Sequence, residues 1–144
     1  MKKIEWLPHY ETGVEEIDNE HRHLFGIVQE IYECIEKDDS NLSCVLANNF
    51  IEKLSEHFSG EEKFLECIGY SDVKGHHDYH ASVMTKKAEE LKRVCCEDNE
   101  PGKVAECYAA VVTVLLDEIV RGDSAFKSHI NHHGFSRPKR AADR

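Results

Sequence analysis

The sequence predicts an all-α fold, an up-down-up-down four-helix bundle with an extended N-terminal arm. Apolar residues recur at steps of three and four through four separate segments, and polar breaks of turn length divide those segments. No stretch alternates with the period of two that a strand requires, and no internal repeat is present. Short turns between long amphipathic helices favour antiparallel neighbours, which is the geometry of an up-down bundle.

The bulk properties limit what such a bundle can do. A chain of 144 residues is expected to form one domain, burying roughly 70% of its unfolded surface around one core. The expected division is an arm over residues 1–16, a bundle over 17–134 and a basic tail over 135–144. Twenty-eight acidic residues against eighteen basic ones give a net charge of −10, which opposes binding to nucleic acid or to an anionic membrane. The N-terminal residues carry no apolar run of signal-peptide length, and no segment approaches 18 consecutive apolar residues, so a soluble, cytoplasmic protein is expected. Six cysteines (Cys34, Cys44, Cys67, Cys95, Cys96 and Cys107) lack C-x-x-C spacing, and most are expected to be reduced and packed in the core. The vicinal pair Cys95 and Cys96 is a minor candidate for a redox or soft-metal site.

Trp6, Pro8, Tyr10 and Gly13 show no sustained period, so the arm is expected to be extended, with its aromatic rings docked on the body. The first helix begins near Ile17, capped by Asp18 or Asn19. Its inner seam is Ile17, His21, Leu24, Val28, Ile31 and Ile35, and residues 38–41 end it as a polar turn. The second helix runs from about Asn41 or Leu42 to about Ile68 with a seam of Leu46, Phe50, Leu54, His57, Glu61, Phe64 and Ile68. Gly69 suits the position just past its end, and residues 70–75 form the turn. The third helix places His76, His80, Met84, Ala88, Leu91 and Cys95 on one face. After the break at residues 97–102, a fourth helix carries Val104, Tyr108, Val111, Leu115 and Ile119. That seam continues in phase past a possible kink at residues 122–124 to His129 and His133. The basic residues after Gly134 read as a solvated tail.

The unusual feature is the number of histidines on these seams. Burying an imidazole or carboxylate without a partner costs roughly 1–3 kcal/mol, and more for a charge. A single seam histidine is usually a hydrogen-bonded core residue. Here His21, His57, Glu61, His76, His80, His129 and His133 come from all four helices, and a shared metal centre offsets the cost for all of them together. His57 and Glu61 are four residues apart, as are His76 and His80, so each pair lies on one helix face. Imidazole with carboxylate suits iron, zinc or manganese and suits calcium poorly. One zinc needs three or four ligands, whereas six or seven suit two metals sharing a carboxylate bridge. His77, adjacent to His76, points about 100° away and is expected at the surface.

The arm and first helix (Trp6, Tyr10, Gly13, Val14, Ile17, Asp18, His21, Leu24, Phe25) resemble the opening of the hemerythrin family, particularly its bacterial members. The residues His57-Phe58, Glu61-Glu62, Gly69-Tyr70, His76 and His80 are similar to its central H-F-x-x-E-E, G-Y, H-x-x-x-H signature. The resemblance implies a four-helix bundle holding two non-haem iron ions through five histidines and two carboxylates. By that resemblance His21, His57, His76, His80 and His129 are the histidines and Glu61 is a bridging carboxylate. The pattern fails at its last position. The family ends on H-I-x-x-x-D, and here His129-Ile130 is followed by Gly134 where Asp belongs. His133 is the expected substitute ligand, His132 a weaker one. The family's tryptophan before the fourth-helix histidine is also missing, with Ala125 and Phe126 in its region.

The activity implied is reversible dioxygen binding, as carrier, store or sensor, with Leu24, Phe25, Phe58 and Met84 lining an apolar pocket. A sensor would need a separate signalling or redox partner. Two other readings stand beside it. Loss of the bridging Asp favours oxidase or peroxidase chemistry at the same irons, and a structural or storage bundle keeps the ligands without redox function.

Overall fold

The computed structural model describes residues 1–97 and 100–122. Four helices form a bundle: α1 (Glu15–Lys37), α2 (Ser40–Cys67), α3 (Val73–Lys92) and α4 (Lys103–Leu116), and no strand occurs among the described residues. Two of them continue as wider π-helical segments, α3 through Arg93–Glu97 and α4 through Asp117–Gly122. α1 packs against α2 and α4, and α3 packs against α2 and more lightly against α4.

The helix ends follow local chemistry, with two departures from expectation. α1 starts earlier than expected, after Val14, which makes no side-chain cap hydrogen bond. Asp18 is therefore inside the helix, where it is buried and folds back on the arm. Its carboxylate accepts hydrogen bonds from the Thr12 backbone N–H and hydroxyl, both at 2.8 Å, and from the Gly13 N–H at 3.2 Å. Gly13 has φ of +90°, a value that favours glycine and turns the arm into the helix. Asp39 caps α2, its side chain accepting from the Leu42 N–H at 3.0 Å. At the far end, Gly69 (φ +71°) closes a Schellman turn as expected, with Tyr70 N–H donating to Leu65 C=O and Gly69 N–H to Glu66 C=O. α3 then begins at Val73, so the turn is shorter than the expected 70–75 and Gly75 is helical. The part of the fourth seam expected to carry His129 and His133 lies outside the described residues.

The arm is docked. Trp6 meets Phe25 edge-on at 5.1 Å between ring centres, and Tyr10 lies 5.5 Å from the same ring. The Tyr108 hydroxyl on α4 accepts from the Ile4 N–H at 2.6 Å and donates to the Lys2 C=O at 2.8 Å.

The expectation of reduced cysteines is corrected for four of the six. Cys44 bonds Cys96 and Cys95 bonds Cys107, so the vicinal pair is split between α2 and α4. The π-helical continuation of α3 is thus tied to two other helices. Cys34 and Cys67 are free, one buried and one exposed. Sequence spacing missed these bonds because both partners of each lie on different elements. Among the described residues, no helix is long and apolar enough to cross a membrane.

The core divides in two. A large cluster includes Leu24, Ile31, Phe50, Leu54, Leu91 and Leu115, and a small one joins Val14, Ile17 and Leu65. Between them, α1 places His21 after Ile17 and before Leu24, while α2 places His57 and Glu61 after Leu54 and before Leu65. A polar layer is thereby enclosed by apolar ones on both sides.

Candidate metal centre

The seam positions carry polar residues into that layer from every helix. His21 (α1), His57 and Glu61 (α2), His76 and His80 (α3) and Glu118, just past α4, are all buried, with His21 and Glu61 fully inaccessible. Ligand atoms of His21, His57 and Glu61 lie within 4.8 Å of one another, and so do those of Glu61, His76 and His80. Glu61 belongs to both groups. Its Oε2 is 2.9 Å from His57 Nε2, and its Oε1 is 3.1 Å from His76 Nε2 and 3.4 Å from His80 Nε2. The Nε2 atoms of His21 and His57 point at each other at 2.9 Å.

Neighbouring groups fix these rings. Phe58 stacks flat on His80 at 3.7 Å with 7° between the planes. Glu20 of α1 reaches His57 Nδ1 at 2.7 Å, so the opposite ring nitrogen faces Glu61. His77 is exposed as expected, its Nδ1 3.0 Å from Glu62. A cavity of about 240 Å³ between α1 and α2, bordered by Glu20, His23, Leu24 and Lys53, reaches His57 from outside.

The electrostatics favour a cation. Burial, then the neighbouring His57, pushes His21 down to about 4, so its imidazole is neutral and free to act as a ligand. Burial also pushes His57 down, but Glu61, Glu118 and Glu20 outweigh it and hold the imidazole well above its usual value. For Glu118, burial and the charge of Glu61 push upward, and the neighbouring imidazoles of His57 and His80 outweigh them and hold the carboxylate below its usual value. Paired buried carboxylates that draw a proton onto a histidine define a place where positive charge is stabilised. A metal ion can supply that charge while using neutral imidazole ligands.

The spacing of these donors suits transition-metal coordination. With metal–ligand bonds of about 2.1 Å, two ligand atoms at a right angle around one ion lie roughly 3 Å apart. The contacts made by Glu61 have that spacing. Nitrogen and oxygen donors of this kind suit iron, zinc or manganese.

Of the residues singled out from sequence, His21, His57, Glu61, His76 and His80 meet in this layer. His129 and His133, and the weaker candidate His132, lie outside the described residues. Two carboxylates that the sequence reading did not single out also touch these histidines, Glu20 and Glu118. Glu118 stands three residues after Leu115 and seven after Val111, both buried, so the heptad seam itself points to it. The expected pocket residues Leu24, Phe25 and Phe58 are buried in the large cluster, with Met84 half-buried against it.

The family model for the Hemerythrin HHE cation binding domain matches residues 12–132. A bacteriohemerythrin of Clostridium acetobutylicum is 30% identical over 125 residues, covering 84% of this chain and 96% of that protein. A bacteriohemerythrin of Pseudomonas aeruginosa is 20% identical over 89 residues, covering 62% of this chain and 58% of its own length.

Proposed function

Because the chain belongs to the hemerythrin HHE cation binding family, we propose that its polar layer holds two non-haem iron ions and binds dioxygen reversibly, as a carrier, store or sensor. The observation that carries this reading is the position of Glu61, whose two oxygens face His57 on one side and His76 and His80 on the other. His21 and His57 would hold one ion, His76 and His80 the other, and Glu61 would join them. When bound by these residues, a ferrous pair would supply the reversible redox chemistry that dioxygen binding needs. The chain's own part is to set geometry and exclude water. Glu20 orients His57, Phe58 fixes His80, and the two apolar clusters close the layer above and below.

A second reading, an oxidase or peroxidase at the same irons, is favoured by one observation. The cavity at His57 brings Glu20, which is nearly half exposed, between solvent and the centre, as a proton route would require. Optical titration separates the two. Reversible binding gives an absorption that appears with dioxygen and vanishes on its removal, whereas an enzyme gives one that decays with consumption of reductant or peroxide.

A further inference from the structure

We propose that Glu118 is a ligand of this metal centre, the carboxylate that the fourth helix contributes. The inference rests on the metal-binding reading above and adds a residue to it.

Glu118 is 2% exposed and faces one histidine of each group, His57 and His80. Its Oε1 is 3.3 Å from His80 Nε2 and its Oε2 is 3.5 Å from His57 Nε2. Charge-assisted N–H···O bonds run about 2.7–2.9 Å. Both contacts are longer than that, and Oε2 makes no hydrogen bond although it is buried. The two oxygens face one histidine from each group, with Oε1 within hydrogen-bond distance of His80 and Oε2 held near His57. Spacings of this size are close to those of donors arranged around a shared cation, as in the fit of Glu61.

The position along the helix agrees. α3 and its π-helical continuation end at Glu97, seventeen residues after His80 and twenty-one after His76, and α4 starts across the turn at Lys103. Glu118 is fifteen residues beyond Lys103, so the fourth helix has returned to the same level when it reaches Glu118. On the long fourth helix expected from the sequence, His129 would be eleven residues further, roughly 16 Å past that level. A residue at Glu118 and one at His129 on such a helix cannot serve the same layer. The π-helical turn from Asp117 to Gly122 surrounds Glu118, and such turns often occur where a helix presents a functional side chain.

The test is metal binding by the full chain, stripped and then titrated with zinc and, anaerobically, with ferrous iron, reading ions per chain and affinity. Glu118→Gln keeps the shape and removes the charge. The expected result is loss of one of two ions per chain, or a fall in affinity of more than about 100-fold, beyond the 10–100-fold typical of residues that only support a ligand. The metal-free variant should melt no lower than the parent. Should the glutamine variant fail to fold, Glu118→Asp, which withdraws the carboxylate by one methylene, must show the same loss. Full retention of both ions by the variant overturns the proposal. So does unchanged binding with a lowered metal-free melting temperature, which marks a packing role, or loss of metal in His129→Ala while Glu118→Gln keeps it. A parent chain that binds no ion removes the metal reading itself.

Discussion

Glu20 of α1 and His57 of α2 meet at 2.7 Å, carboxylate oxygen to Nδ1, across the helix interface. The ring is thereby held with Nε2 toward Glu61. A carboxylate behind a ligating imidazole fixes its tautomer and raises its basicity. Glu20→Ala is expected to weaken metal binding about 10–100-fold while leaving the fold intact, because Glu20 is partly exposed and its loss opens no core cavity. Competition against a chelator of known affinity measures this. Unchanged affinity would show that His57 is oriented by other contacts.

Asp18 joins arm to bundle through three hydrogen bonds to Thr12 and Gly13. Asp18→Ala strands buried donors and is expected to destabilise the fold by about 1–3 kcal/mol in denaturant unfolding. Asp18→Asn, which still offers an acceptor oxygen, should lose less. Equal losses would indicate that the negative charge matters more than the acceptor geometry.

The cysteines give a chemical prediction. In the unreduced protein, a maleimide or iodoacetamide should label Cys67 quickly and Cys34 slowly. Cys34 is buried, and burial followed by the nearby Asp39 and Glu30 carboxylates pushes its thiol up, which lowers the thiolate fraction at neutral pH. Peptide mass mapping should recover Cys44 linked to Cys96 and Cys95 linked to Cys107. Reduction should lower stability by about 2–4 kcal/mol for each bond. Rapid labelling of five or six cysteines before reduction would contradict these pairings.

Most of the candidate site was legible because a buried histidine has few bland explanations when several share one level. The steps of three and four placed His21, His57, Glu61, His76 and His80 inward, and all five lie in the polar layer. The disulfides were not legible, since sequence spacing says nothing about which faces of separate helices meet. Glu118 was hidden by a preference for histidine. The pattern H-I-x-x-x-D is met by His129-Ile130 at its first two positions and fails at Gly134. Glu118-Ile119, with Asp123 five residues after Glu118, meets it at the second and last positions instead. Only the burial of Glu118 against His57 and His80 distinguishes the two registers for that residue. The cap of α1 was misplaced for a related reason. Asp18 has the composition of a cap, but its carboxylate serves the arm from within the first turn and a half.

The central claim is a two-iron centre that binds dioxygen reversibly, and the most direct measurement is an anaerobic ferrous iron titration followed by optical cycling between dioxygen and argon. The account predicts saturation at two irons per chain and a near-ultraviolet and visible absorption that rises with dioxygen and returns to baseline over repeated cycles. Saturation at one iron or none, or iron that produces no dioxygen-dependent absorption, would contradict it.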